Sequence, residues 1–340
     1  MQSVLVTGGA GYKGCVLVPK LLAAGWKVKV YDLMLFGRDV LPAHPDLEVI
    51  EADIRDTARF KQAVRGVDAV IHLACISNDP SFELDPELSR TINYDCFEPM
   101  VLASRAAGVK RFLYVSTSSV YGVSEAPEVT EDHPLVPLTD YNRYKGMCEP
   151  LLLAQQSPDF LTTIIRPATV CGYSPRMRFD LTVNIFTLQA ITRGLLTIHG
   201  GAQKRPNIHI DDICELYTDL LTMPAEKIAG ETFNAGYQNH PVGDIAQMVK
   251  RVVEQEMPER APVDVQIQPV VDMRSYHVSS KKIADRLGFV PRRTLEDAVR
   301  DVCRAFKDGR FPNPGEERYY NVTTLKRLTP QLIGPGATRN

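Results

Sequence analysis

Tyr141 and Lys145 stand four residues apart in T-D-Y-N-R-Y-K (139–145), in a stretch that runs on as a predicted helix through Glu149 and Leu151–Gln156. On a helix, residues i and i+4 share a face, so a phenol and an ammonium would point into one space. A tyrosine with a reference pKa of about 10 is a poor base near neutral pH. A fixed cation nearby favours the phenolate and lowers that value. Such a pair could serve as acid and base toward an alcohol or sugar hydroxyl. The same spacing also occurs by chance on solvated helix faces, so the pair needs a site built around it.

The elements that would build one begin at the N-terminus. Ser3–Thr7 (S-V-L-V-T) reads as a buried parallel strand and leads into G-G-A-G-Y-K-G (8–14), then an apolar helix from about Cys15 to Ala24, stopped by Gly25. Gly8, Gly11 and Gly14 would allow a tight turn, close backbone approach to a pyrophosphate and packing of helix on strand. Tyr12 and Lys13 fall inside this phosphate-facing loop. The next strand, Lys27–Tyr31, ends in Asp32, a carboxylate placed to accept ribose hydroxyls and repel a 2′-phosphate. The cofactor expected is therefore NAD rather than NADP, with Arg38 nearby as the one contrary sign.

Further strands are expected at Leu47–Glu51, followed by Asp53-Ile54 beside an adenine, and at Asp68–Leu73, where Leu73, Ala74 and Cys75 would let backbone pass close to a cofactor. His72 belongs with the strand end. Pro86–Gly108 reads as one long helix. Arg111–Ser116 is a fifth strand, and the hydroxyls of Thr117, Ser118 and Ser119 at its carboxyl end could hold a substrate oxygen. Alternation of strands and helices at these lengths specifies an α/β fold with a doubly wound parallel sheet.

Composition narrows the class further. The chain has 340 residues, with 39 Lys plus Arg against 41 Asp plus Glu and a net charge of −2, which points to neither a nucleic-acid nor a membrane surface. That length suits a large core and two lobes. Seven scattered cysteines without Cys-x-x-Cys suggest reduced thiols and a cytoplasmic setting. No leader or membrane-length apolar run is visible, and the seven histidines show no metal-ligand spacing, so no metal site is expected.

Taken together, T-G-G-A-G-Y-K-G (7–14), Asp32, D-I (53–54), H-L-A (72–74), S-T-S-S-V-Y-G (116–122), Y-N-R-Y-K (141–145), R-P (166–167) and R-P-N-I-H-I-D-D (205–212) resemble the extended short-chain dehydrogenase/reductase family. Within it, they resemble the nucleotide-sugar epimerases and dehydratases, from residue 2 to about 310. Several members carry Phe-Ile where this chain has Tyr12-Lys13. The resemblance implies that Tyr141 is the acid/base, that Lys145 holds the nicotinamide ribose, and that Thr117 bonds the reacting hydroxyl. It implies hydride transfer from a sugar carbon, usually C4, to NAD, giving a bound 4-keto sugar.

Dehydratases carry an Asp-Glu pair, and decarboxylases a glutamate, at positions that here are Ser118 and Ser119. Serine is no carboxylate base near neutral pH, so return of the hydride to the other face, a 4-epimerisation, is the favoured outcome. Dehydratase, decarboxylase and keto-sugar reductase remain the alternatives, with a non-catalytic dinucleotide-binding protein as the rival class.

The resemblance further implies a Rossmann domain over 1–172 and about 206–236, and a smaller interleaved substrate domain over 173–205 and about 237–310. Residues 311–340, with F-P-N-P-G and a Gly/Pro/Thr tail, read as an extended arm with little packing. Asn184, Arg205 and Arg274 are the implied diphosphate contacts, with Arg176 and Arg178 as weaker candidates, and Ser77 and Asn78 fall in the loop lining the sugar pocket. A homodimer is expected through the helices at Pro86–Gly108 and Tyr141–Gln156.

Overall fold

The computed structural model describes residues 2–124, 126–269 and 277–332. Arg274 lies outside the described residues. The first six apolar runs become β1 (Ser3–Thr7), β2 (Lys27–Asp32), β3 (Leu47–Glu51), β4 (Ala69–His72), β5 (Arg111–Val115) and β6 (Leu161–Pro167). Three short strands follow, β7 (Thr169–Cys171), β8 (Leu195–His199) and β9 (Lys204–His209), before β10 (Glu231–Ala235) returns to the first six. The last two are β11 (Gln238–Pro241) and β12 (Asp264–Gln268).

The central sheet has seven strands in the order β10-β6-β5-β4-β1-β2-β3, every pair parallel. This is the Rossmann-like doubly wound arrangement, and its crevice opens where the strand order reverses between β1 and β4. β1 is apolar on both faces because helices cover both: Val4, Leu5 and Val6 are all 0% exposed. Each such side chain contributes about 1.5–3 kcal/mol by leaving water. A separate apolar cluster joins helices Thr182–Arg193, Val242–Glu256 and Leu295–Lys307 in the second lobe.

Two expectations change. The stretch read as one helix over Pro86–Gly108 is α-helical at Pro86–Arg90 and Phe97–Ala106, with a π-helical turn over Thr91–Asp95 between them. That wide turn lets Asn93 bond both backbone groups of Ile76, accepting from its N–H at 2.8 Å and donating to its carbonyl at 2.9 Å. The tail expected as a loosely packed arm instead forms a short turn, Glu317–Tyr319, and a helix, Asn321–Leu332. Its Leu325, Leu328 and Leu332 recur at helical spacing and are buried, a stripe that Thr and Pro neighbours mask in the sequence.

Candidate active site

A cleft of about 630 Å³ opens at the carboxyl ends of the central strands. Gly8, Gly11, Tyr12, Lys13 and Gly14 form one wall. Gly8 has φ +71°, and a Cβ there would meet the Ala74 backbone nitrogen at 2.7 Å; a Cβ on Gly14 would stand 2.4 Å from the Gly9 carbonyl oxygen. Only glycine fits either position. Asp32 sits at the tip of β2, accepting from the Ala10 N–H at 3.0 Å and the Met34 N–H at 2.8 Å, and also lines the cleft. Arg38, the contrary sign for NAD, is spent on Glu51 through bonds of 2.9 and 2.6 Å. Leu73, Ala74 and Cys75 line the cleft after β4, and Ile54 lines it beyond β3.

Asp53, expected beside the adenine, has its carboxylate bonded by Arg55 two residues on, through Nε at 3.0 Å and Nη2 at 2.5 Å.

Tyr141, Lys145 and Glu149 occupy one face of the helix Asp140–Leu153, started by Thr139, whose hydroxyl accepts from the Asn142 N–H at 3.4 Å. Tyr141 and Lys145 both line the cleft, with Thr117, Ser118 and Ser119 among the residues across from them. The expected lowering of the Tyr141 pKa by Lys145 is not what the structure gives. Burial pushes the phenol well above its ordinary value, opposed by the Arg178 charge and the Asn78 backbone N–H. Lys145 is drawn elsewhere: its Nζ donates to the Val115 carbonyl at 2.6 Å and lies 4.4 Å from the Tyr114 ring centre.

Thr117 Oγ1 lies 2.7 Å from Ser119 Oγ, which donates to Asn142 Oδ1 at 2.6 Å. Asn142 was not singled out by sequence, although it directly follows Tyr141 and its side chain fixes this hydroxyl chain. Behind the helix, Glu149 is buried against Arg166, accepting from its Nε at 3.0 Å and Nη2 at 2.6 Å, and from Ser116 Oγ at 2.6 Å.

Ser77 and Asn78 also line the cleft but are committed to neighbours. Ser77 Oγ accepts from Arg178 Nη1 at 3.0 Å, and Asn78 Nδ2 donates to Asp180 at 3.1 Å. Arg178 is itself neutralised by Asp180 through two bonds of 2.9 Å. Arg205 lines the cleft from β9, near His199 and Gln203. Asn184, an implied diphosphate contact, is fully buried. It donates to the Tyr12 hydroxyl at 3.1 Å and the Arg178 carbonyl at 3.0 Å, and accepts from the Gly172 N–H at 3.1 Å. Both amide N–H donors and one acceptor direction are taken up in bracing Tyr12 of the glycine loop against the second lobe.

Lys13 stands out electrostatically. Burial lowers its pKa from an ordinary 10.5 to about 8, with the Cys75 thiol opposing that and the Lys145 charge adding to it. Below pH 8 the ammonium is protonated in both folded and unfolded chains, and the penalty is fully present. Between about pH 8 and 10.5 the unfolded chain holds more protons, so stability rises with pH. Lys13→Ile should therefore stabilise the cofactor-free protein by about 1–3 kcal/mol at pH 7. Paired urea titrations should show that advantage vanishing as the pH approaches 10.5; an advantage constant with pH would contradict the burial account.

The fold and the glycine-lined crevice define a dinucleotide-binding protein of Rossmann type. The model of the NAD dependent epimerase/dehydratase family matches residues 4–236, and the chain belongs to that family. NAD is its cofactor: the glycine cradle and the Asp32 carboxylate fit that group, and it supplies hydride acceptance when bound. The chain is 33% identical over 240 residues to an uncharacterized protein, y4nG, of Sinorhizobium fredii, covering 69% of this chain and 56% of that one. It is 28% identical over 315 residues to a UDP-glucose 4-epimerase of Azospirillum brasilense, covering 87% and 89%. A solved structure of a Thermus thermophilus UDP-glucose 4-epimerase in complex with NAD superposes with a TM-score of 0.78 at 25% identity, covering 90% and 99%. The chain spans about half the length of the first curated relatives it matches. No helix among the described residues is long and apolar enough to cross a membrane.

Proposed function

We propose that the protein is a nucleotide-sugar epimerase acting at C4 through a transient 4-keto sugar. The observation that carries this reading is the placement of Tyr141, Thr117, Ser118 and Ser119 in one cleft with the dinucleotide loop, where the two serines occupy the carboxylate positions of the dehydratases and decarboxylases. Tyr141 takes the proton of the reacting hydroxyl and returns it. Thr117 Oγ1 orients that hydroxyl, and is itself aimed by Ser119 and Asn142. Lys145 holds the nicotinamide ribose from the same helix face. With no carboxylate at 118 or 119, neither water nor carbon dioxide is expelled, so the keto sugar persists until it is reduced from its other face.

Arg205, which lines the cleft from β9, is assigned to the substrate diphosphate, for which a planar guanidinium suits a bidentate contact. A homodimer is consistent with Leu102 and Met147, which are 45% and 40% exposed on the two helices expected to pair. Seven unpaired cysteines suit a reducing compartment such as the cytoplasm.

The test is proton NMR of UDP- and dTDP-hexoses, and of the corresponding nucleotide-hexuronic acids, incubated with the purified protein. A C4 epimer with the sugar otherwise intact is the expected product. A 4-keto-6-deoxy sugar or a pentose would replace the reading with dehydration or decarboxylation. NAD binding without conversion of any sugar would favour the non-catalytic class.

A further inference from the structure

The adenosine end of the cleft has a wall the family match does not reach. The match stops at residue 236, whereas Asn321, Leu325 and Leu332 line the cleft. Leu325 and Leu332 pack in one apolar cluster with Ala52 and Ile54, the residues beyond β3 on the Asp32 side. The helix is fixed there at three points. Arg55 donates to the Leu332 carbonyl at 2.6 Å, Asn321 Nδ2 donates to Ser77 Oγ at 2.9 Å, and Arg318 just before the helix pairs with Asp39 at 2.9 Å.

Asn321 also accepts a hydrogen bond from Arg176, whose guanidinium lies 3.6 Å from the Phe36 ring centre and lines the same cleft. Arg176 is 2% exposed, and its Nε has no hydrogen-bond partner among the described residues. No carboxylate among the described residues is bonded to it, and burial pushes its pKa down to about 9. A buried cation with an orphaned donor, facing a cleft, fits an anion or hydroxyl that arrives with a ligand.

We propose that the C-terminal helix Asn321–Leu332 is the outer wall of the NAD site, with Leu325 and Leu332 against the adenine and Asn321 presenting Arg176 to the ribose or phosphate of the adenosine half. The helix thus acts on cofactor retention, independently of which sugar reaction follows.

Calorimetric titration of the cofactor-free, full-length protein with NAD and with nicotinamide mononucleotide separates the two halves. Leu325→Ala and Arg176→Gln should each weaken NAD by about tenfold or more and leave the mononucleotide unchanged. Unchanged NAD affinity in both variants, or equal losses for NAD and the mononucleotide, overturns the proposal. Should either variant fail to fold, hydrogen exchange on the wild-type chain decides. NAD is expected to slow exchange across 321–332, and exchange there that ignores NAD overturns the assignment.

Discussion

With Tyr141 changed to phenylalanine, turnover should fall by ~10²–10⁴ while NAD binding and stability stay close to wild type. The substitution removes one oxygen and leaves the ring in place. Burial and nearby charges act on the hydroxyl, with the Asn78 N–H as a hydrogen-bond donor to it, so its removal leaves the helix that carries it intact. Its loss therefore falls on proton transfer rather than on folding. Because burial holds the phenol above its ordinary pKa, the fraction of phenolate grows as pH rises. The wild-type rate should accordingly climb toward alkaline pH, and the variant should lose that limb. Initial rates across pH, on whichever nucleotide sugar proves to be converted, read both effects. A variant as fast as wild type would remove Tyr141 from the chemistry.

The second large effect is on stability. Arg166→Ala should cost ~3–5 kcal/mol of folding free energy, because it strands the buried carboxylate of Glu149. The side chains of this pair are 7% and 3% exposed. Arg166 also donates to the Tyr121 hydroxyl at 2.6 Å, which in turn donates to Asn234 on β10 at 2.8 Å. The pair therefore joins the helix carrying Tyr141 to β6 and to the edge strand. Replacing both partners, Arg166→Met with Glu149→Leu, removes the stranded charge and should recover most of the loss. Urea denaturation of the single and the double variant measures it. A single variant as stable as wild type would mean that water reaches the carboxylate.

What could be read from the sequence was local. The strand, glycine loop and helix over 3–24 are coded by consecutive residues, and the phenol and ammonium by a step of four along one helix. What could not be read was who answers each side chain. Asp53 has the residue type for an adenine contact, and the sequence does not say that Arg55 two positions on also bonds its carboxylate. Asn184 meets a hydroxyl 172 residues away, and Asn321 meets an arginine 145 residues away. Periodicity reports which face of an element is buried and is silent on which distant partner covers it. The tail shows the same limit: its three leucines have helical spacing, but Pro330 and the surrounding threonines argue for coil until a groove exists to receive them.

The wide turn at Thr91–Asp95 amounts to one extra residue let into a helix, and its carbonyls and side chains point where a regular helix would not send them. Through Asn93 it stations the backbone at Ile76, and so the approach to Ser77 and Asn78, from the far side of β4. The wall at Ser77 and Asn78 is thus set in part by a segment whose own Ile92 lines the cleft. A change in that one helical step would be passed on to Ser77 and Asn78, and through them to Arg178, Asp180 and Asn321.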